Sequence, residues 1–255
     1  MSAKRQPAAP QRSNRSFLGL LLILLVLGMA AIGFVVFRAK PGANVVAAPA
    51  ATPAPERRDT TPLPSPKGYV QGSDKAPVEI VMYGDFECPG CGQFATLTEP
   101  DVVARLVKTG AARLRFMDFP LPSIHKATLT AHNAAACAGL QNKFWPMHDS
   151  IYNEQHQWST FANGRDVNAP KIMKRFAKDI GLDTKTFDGC LDTKQLERQI
   201  RANYEEGVRV GVAATPTFVI GIRMISGAQP YDVIKKLVDS AAADAKKLST
   251  SSTPK

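Results

Sequence analysis

The sequence predicts an α/β domain built on a central mixed sheet, with an inserted helical subdomain and a single transmembrane helix before it. Three observations carry this reading. Strand-like and helical runs follow one another as β-α-β, then a series of helices, then β-β-α, so strands from both ends of the folded part share one sheet. Residues 17–37 are 21 residues without a charge. Between the first strand and the first helix stands Cys88-Pro89-Gly90-Cys91.

The N-terminal third is not domain material. At 1.5 Å per residue, the uncharged run spans a hydrocarbon core of about 30 Å. Lys4, Arg5, Arg12 and Arg15 precede it with no acidic residue, and Arg38 and Lys40 follow. That bias keeps residues 1–16 in the cytoplasm as a basic tail and sends the C-terminal part outward. A cleaved signal peptide is the alternative. Its apolar region is shorter, about 7–15 residues, with a small-residue cleavage site close behind, so an uncleaved anchor is the preferred reading. Residues 38–68 form a Pro- and Ala-rich linker that cannot bury a core and holds the domain away from the membrane. The folded domain is expected over 69–247, with a polar disordered tail over 248–255.

Net charge is +10, which raises the question of nucleic acid. Residues 1–68 hold nine Lys/Arg and two Asp/Glu, whereas 69–255 hold 23 and 20. The excess therefore belongs to anchor and linker, and the folded part lacks the basic footprint of a nucleic-acid binder.

Within the domain, residues 76–83 read as a strand that turns through Gly84-Asp85-Phe86-Glu87 into a helix over 88–107, ended near Gly110. Residues 112–119 alternate like a second strand, stopped by Pro120 and Pro122. The helical insert, about 123–210, begins with an Ala-rich helix over 123–139. Residues 143–157 carry Phe144, Met147, Ile151 and Tyr152 at helical spacing, read as core packing. Residues 170–180 have Pro170 at their start and Gly181 behind them. Helices over 183–191 and 193–210 complete the insert. Strands at 217–220 and 222–225 and a closing helix over 231–247 finish the domain.

The dithiol carries the chemistry. Cysteines three apart on a helix have Cβ atoms about 5–6 Å apart, close to the roughly 3.5–4.5 Å of a disulfide. Pro89 suits the first helical position. Cys88 then lies where free N–H groups and the helix dipole favour a thiolate, with a pKa expected below about 8.5. Cys91, one turn in, should be shielded and should resolve a mixed disulfide. Haem attachment would need His after the second Cys, and Gly92 is there. A zinc site would need two more ligands; Cys137 and Cys190 are single, and His125, His132, His148 and His156 form no tight pair. No metal and no cofactor is expected.

The dithiol is joined by Ala214-Thr215-Pro216-Thr217-Phe218-Val219-Ile220-Gly221, by Phe119-Pro120-Leu121 and by Lys143-Phe144-Trp145-Pro146-Met147-His148-Asp149. Together these resemble the DsbA-like branch of the thioredoxin superfamily, over residues 68–247. The resemblance implies a thioredoxin-like fold and a membrane-anchored protein disulfide oxidoreductase. It implies a cis bond at Pro216 beside the dithiol, with Thr215 offering backbone groups to a substrate strand. It also implies reduced, exported proteins as substrates and a quinone-linked membrane partner of the DsbB or VKOR type. The chain departs from the pattern in two places. Met82 stands six residues before Cys88, where such enzymes often carry a buried carboxylate. Pro89-Gly90 lacks the His of the strongest oxidants, which removes one cation from the thiolate. Glu87 reads as an exposed turn residue.

An oxidase facing the periplasm or outer surface of a bacterial inner membrane is the leading functional expectation. A reductase or isomerase, and a non-catalytic holdase for unfolded chains, are the alternatives. Cys137 and Cys190 are either two buried thiols or a second, structural disulfide, which an oxidising compartment favours.

Overall fold

The computed structural model describes residues 61–164 and 167–251; the predicted anchor at 17–37 and the basic tail lie outside the described residues. Among the described residues, no helix is long and apolar enough to cross a membrane. A five-stranded mixed sheet has the order β1-β3-β2-β4-β5. Its strands are β1 (Tyr69–Gln71), β2 (Glu79–Gly84), β3 (Arg113–Asp118), β4 (Thr217–Ile220) and β5 (Arg223–Ser226). β2 and β3 are parallel, and the other three pairings are antiparallel. The parallel pair needs a crossover, which the helical run over 89–107 supplies.

Pairing of β2 begins at Glu79 rather than 76, since Pro77 has no N–H to give to a ladder. Ile80 and Met82 pair with Leu114 and Phe116 on one side and with Ile220 and Phe218 on the other. All six are buried and form the floor beneath the dithiol. Phe94 tilts onto Phe218 with ring centroids 4.6 Å apart, and Phe86 stacks on Phe116 at 5.0 Å. Each such ring removed from water contributes about 1.5–3 kcal/mol.

β1 was not expected. Three residues are too few to show alternation, and the strand is held between Gly68 and Gly72, both at positive φ. A Cβ on Gly68 would stand 2.5 Å from Met117 Sδ and 2.7 Å from the Phe116 carbonyl, so only glycine lets the chain enter the sheet edge there.

The helical run is continuous in trace but not uniform. It comprises α1 (Pro89–Gln93), a π-helical stretch (Phe94–Thr98), α2 (Glu99–Val102) and a second π-helical stretch (Val103–Val107). Pro100 explains the first departure: it has no N–H for the carbonyl four residues back, and the turn before it widens. The run also buries Glu99, whose carboxyl is pushed up to about 7 by burial, against the pull of His148.

The insert holds α3 (Thr128–Gly139), α4 (Phe144–Asn153), α5 (Gln155–Trp158), α6 (Thr160–Asn163), α7 (Ala169–Asp179), α8 (Thr184–Asp192) and α9 (Glu197–Arg209). Residues expected at the head of α3, 123–127, are turns. The expected 143–157 helix is broken at Glu154, and the expected 193–210 helix starts only at Glu197, after Lys194 at φ 51. Asn168 Oδ1 caps α7 through the Lys171 N–H, and Asp183 Oδ1 caps α8 through the Thr186 N–H. Ala131, Ala134, Ala135 and Ala138 of α3 are buried, small enough for neighbouring helices to approach closely. Cys137 and Cys190 are disulfide-bonded across α3 and α8, with Cα atoms 5.9 Å apart.

Two further segments differ from expectation. The closing helix α10 (Tyr231–Ser251) runs past 247 into the expected tail. The end of the expected linker is bound to α9: Arg198 donates to the Thr61 and Pro62 carbonyls, Gln199 to Ser65, and the Lys67 N–H to Asn203 Oδ1. The prolines of this segment lack an N–H but keep their carbonyls, so α9 meets it mostly with side-chain donors, and Asn203 accepts from the Lys67 N–H.

Candidate functional site: a paired thiol at a helix start

Cys88 is the N-cap of α1, with extended φ and ψ of −70° and 123°, and Pro89 follows at the first helical position. Cys88 and Cys91 are both free thiols. Cys91 is fully buried, and Cys88 keeps 8% of its surface exposed, less than an open helix end suggests. The cover comes from the loop before β4. The Thr215–Pro216 peptide bond is cis, and the Cys88 thiol donates to the Thr215 carbonyl at 3.3 Å. Gly90 makes this approach possible: a Cβ there would lie 3.3 Å from Pro216 Cδ and 3.8 Å from Cys88 Sγ. The structure thus brings Cys88, Cys91, Thr215 and Pro216 together, and it places Cys137 and Cys190 elsewhere, in the insert.

The acidities of the two thiols are driven in opposite directions. Cys88 is lowered to about 6, first by the hydrogen bond from the Cys91 thiol, then by the Thr215 side chain and the backbone N–H groups of Cys91 and Gly90. These act against burial. Cys91 is pushed well above its ordinary value, first by burial and then by Cys88 and Asp85. Its sulfur accepts from the Asp85 N–H at 3.4 Å.

The turn before the dithiol is where sequence reading fell short. Glu87 was expected to be exposed and is fully buried. Its carboxylate accepts from the Ala127 and Phe161 N–H groups at 2.7 and 3.0 Å and from the Ser159 and Thr160 hydroxyls at 3.2 and 2.7 Å. Four donors replace water, so burial is tolerated, and the residue beside Cys88 is fastened to two segments of the insert. Asp85 is also fully buried. Oδ1 accepts from the Glu87 N–H at 2.8 Å and the Thr128 hydroxyl at 2.5 Å. Oδ2 accepts from the Leu121 N–H at 2.8 Å and lies 2.8 Å from His125 Nδ1.

The carboxylate missing at position 82 therefore has a counterpart in Asp85, three residues before Cys88. The missing cation has a counterpart as well. Burial disfavours the His125 imidazolium, yet Asp85, with Cys88 and Glu87 behind it, raises its pKa overall. A pair of acids flanking Phe86 directly before a dithiol was the available signal. His125 lies 37 residues from Cys88, where no local pattern reaches.

Two more residues of the insert brace the site. Gln155 Nε2 donates to the Phe86 and Cys88 carbonyls at 2.7 and 3.0 Å. A Cβ at position 92 would stand 2.7 Å from Gln155 Oε1, which explains glycine beside Cys91. The Tyr152 hydroxyl donates to the Asp85 carbonyl at 3.3 Å.

The chain is 31% identical over 185 residues to the Na(+)/H(+) antiporter NhaA 3 of Salinispora tropica, covering 72% of this chain and 26% of that protein. It thus spans about a quarter of the length of that relative. It is 25% identical over 172 residues to the probable disulfide bond formation protein D of Bacillus anthracis, covering 66% of this chain and 75% of that one. Among solved structures, BdbD from Bacillus subtilis in its oxidised form aligns with a TM-score of 0.62 at 21% identity, over 71% of this chain and 98% of that one. The α-DsbA1 of Wolbachia pipientis aligns at 0.60 and 20% identity, over 72% and 94%. These structures share the fold over nearly their whole length. The model of the family described as Thioredoxin matches residues 64–240, the sheet, the dithiol and the whole insert together, and the chain belongs to that family.

Proposed function

We propose that this chain is a protein thiol–disulfide oxidoreductase that works mainly as an oxidase of exported proteins. One observation carries the reading: a buried, high-pKa Cys91 stands behind a Cys88 lowered to about 6 at a helix start. In the oxidised enzyme a substrate thiolate attacks Cys88 Sγ, the Cys88–Cys91 bond breaks, and Cys91 leaves and takes up a proton. A second substrate thiolate then attacks the substrate sulfur of the mixed disulfide and expels the Cys88 thiolate. The substrate loses two electrons and the enzyme dithiol gains them.

A stabilised Cys88 thiolate favours the reduced enzyme and so makes the couple oxidising. The raised pKa of His125, to which Asp85 and then Cys88 contribute, supports the same direction. The Thr215 backbone beside the sulfur supports docking of an extended substrate segment. The Bacillus relatives named as disulfide bond formation proteins support this class of reaction. A quinone-linked membrane protein of the DsbB or VKOR type would take the two electrons onward.

The test is the reduction potential together with the pH profile of alkylation. Cys88 is expected to alkylate with a midpoint near pH 6, with Cys91 slow. The couple is expected between the thioredoxin value of about −270 mV and the strongest oxidant at about −120 mV. A couple at about −270 mV would replace oxidase by reductase. Activity on unfolded chains that survives Cys88→Ser would point to the holdase.

The topology is part of the proposal: residues 17–37 anchor the chain, and the dithiol domain lies outside the cytoplasm. An impermeant thiol reagent added to intact, gently reduced spheroplasts is expected to label Cys88. Labelling only after lysis would overturn this.

A further inference from the structure

Where α2 meets α4, two buried polar atoms face each other without a hydrogen-bond partner. Glu99 is 5% exposed and His148 1%. Glu99 Oε2 and His148 Nε2 are 3.8 Å apart, too far for a hydrogen bond, and neither finds another partner. A buried carboxylate oxygen and a buried ring nitrogen left this way are costly and uncommon. The other side of the ring is occupied: His148 Nδ1 lies 2.9 Å from Asp149 Oδ1. Asp149 therefore holds the Nδ1 side of the ring, which leaves Nε2 facing Glu99. A carboxylate that holds one imidazole nitrogen and aims the other is the arrangement that orients histidine ligands at zinc-type centres.

A cavity of about 300 Å³ adjoins Glu99 and Asp149, with Thr96, Tyr152, Gln71 and Lys108 also on its wall, and His148 lies behind Glu99 rather than on that wall. The cavity has room for several waters. Zinc–nitrogen and zinc–oxygen bonds of about 2.0–2.1 Å at a tetrahedral angle put the two ligand atoms about 3.3 Å apart. The gap in the structure exceeds that by roughly 0.5 Å, within the reach of a glutamate side chain. Lys108 opposes a cation but is exposed, and its amine has solvent to turn to.

We propose that Glu99 and His148 bind a divalent cation of the zinc type, with water from the cavity completing the shell and Asp149 orienting His148. The two ligands come from different elements, one from the run that carries the dithiol and one from the insert. Such an ion would clasp these together without touching the sulfurs, so the inference does not depend on the dithiol chemistry.

The full chain, solubilised and stripped with EDTA, is titrated with Zn2+ in its oxidised form, in which Cys88 and Cys91 are joined and cannot chelate. One equivalent is expected to bind and to raise the melting temperature, and Co2+ at the same site should show no thiolate charge-transfer band. Glu99→Gln should lower the affinity at least tenfold. Asp149→Asn, on an exposed side chain that does not threaten folding, should weaken binding about 10–100-fold. No saturable one-to-one binding by the stripped protein, or unchanged affinity in both variants, would overturn the proposal.

Discussion

Replacing both Cys137 and Cys190 by Ala is expected to lower the unfolding free energy by about 4 kcal/mol, without slowing thiol exchange at Cys88. The two residues are 53 apart in sequence, and closing a loop of that length restricts the unfolded chain by about that amount in the chain-entropy model. For a domain of this size the melting temperature should fall by roughly 8–16 °C. Alanine is chosen over serine because Cys137 and Cys190 are buried, and a hydroxyl would need a partner. The exchange rate should hold because the bridge is remote from the sulfurs along α3. Thr128, at the other end of that helix, contacts Asp85, and the nine residues to Cys137 put the bridge about 13.5 Å away. Urea unfolding of parent and variant, both purified oxidised, checks the stability, and alkylation rates well below the transition check the exchange. A loss under 1 kcal/mol would mean that the unfolded chain is already compact across this loop.

The parts of the fold that were legible are those written in local pattern. Residues 217–220 are all β-branched or aromatic, follow a proline and end at Gly221, and β4 spans those residues. The helix expected over 170–180, between Pro170 and Gly181, lies within a residue of α7 at each end. Cys88-Pro89-Gly90-Cys91 announced a helix start, and α1 begins at Pro89. What was hidden depends on partners far away in sequence. β1 exists because β3 offers an edge and two glycines admit the chain. Glu87 looks like any solvated turn acid until Ala127, Ser159, Thr160 and Phe161 fold over it. The break at Glu154, between α4 and α5, lets Gln155 reach back to the Cys88 carbonyl, a tertiary reason that overrides helical spacing. The polar support of the dithiol is therefore the part least readable from the chain, because charge and burial are decided by what packs against it.

Asp85→Asn should have the larger combined effect on stability and on the site. The replacement keeps the shape but turns one acceptor oxygen into a donor NH2, while four donors still converge on the carboxyl. Whichever oxygen is replaced, two of them lose their acceptor, and breaking a buried charged pair costs about 3–5 kcal/mol. The cost should depend on pH, and its sign follows from the two shifts. Burial raises the Asp85 pKa, but the hydrogen bond to His125, the charge of His132, Thr128 and the Glu87 N–H outweigh it, so the folded value is lowered. That contribution is complete above the unfolded value of about 3.9 and is lost as pH falls through the folded one. His125 is raised, so its contribution is complete below about 6.5 and is lost as pH climbs through its folded value. The ion pair therefore acts at full strength between about pH 4 and about pH 6.5. Asp85→Asn should cost most near pH 5.5 and less at a pH above the raised folded value of His125, where the parent imidazolium has lost its proton. The His125 ring should titrate lower in the variant, and Cys91, relieved of a neighbouring negative charge, should become easier to ionise. Urea unfolding at the two pH values, with an NMR titration of the His125 ring, reads both effects. An equal cost at both pH values, or an unmoved His125, would mean that Asp85 acts as a neutral spacer and that the cation near Cys88 has another source.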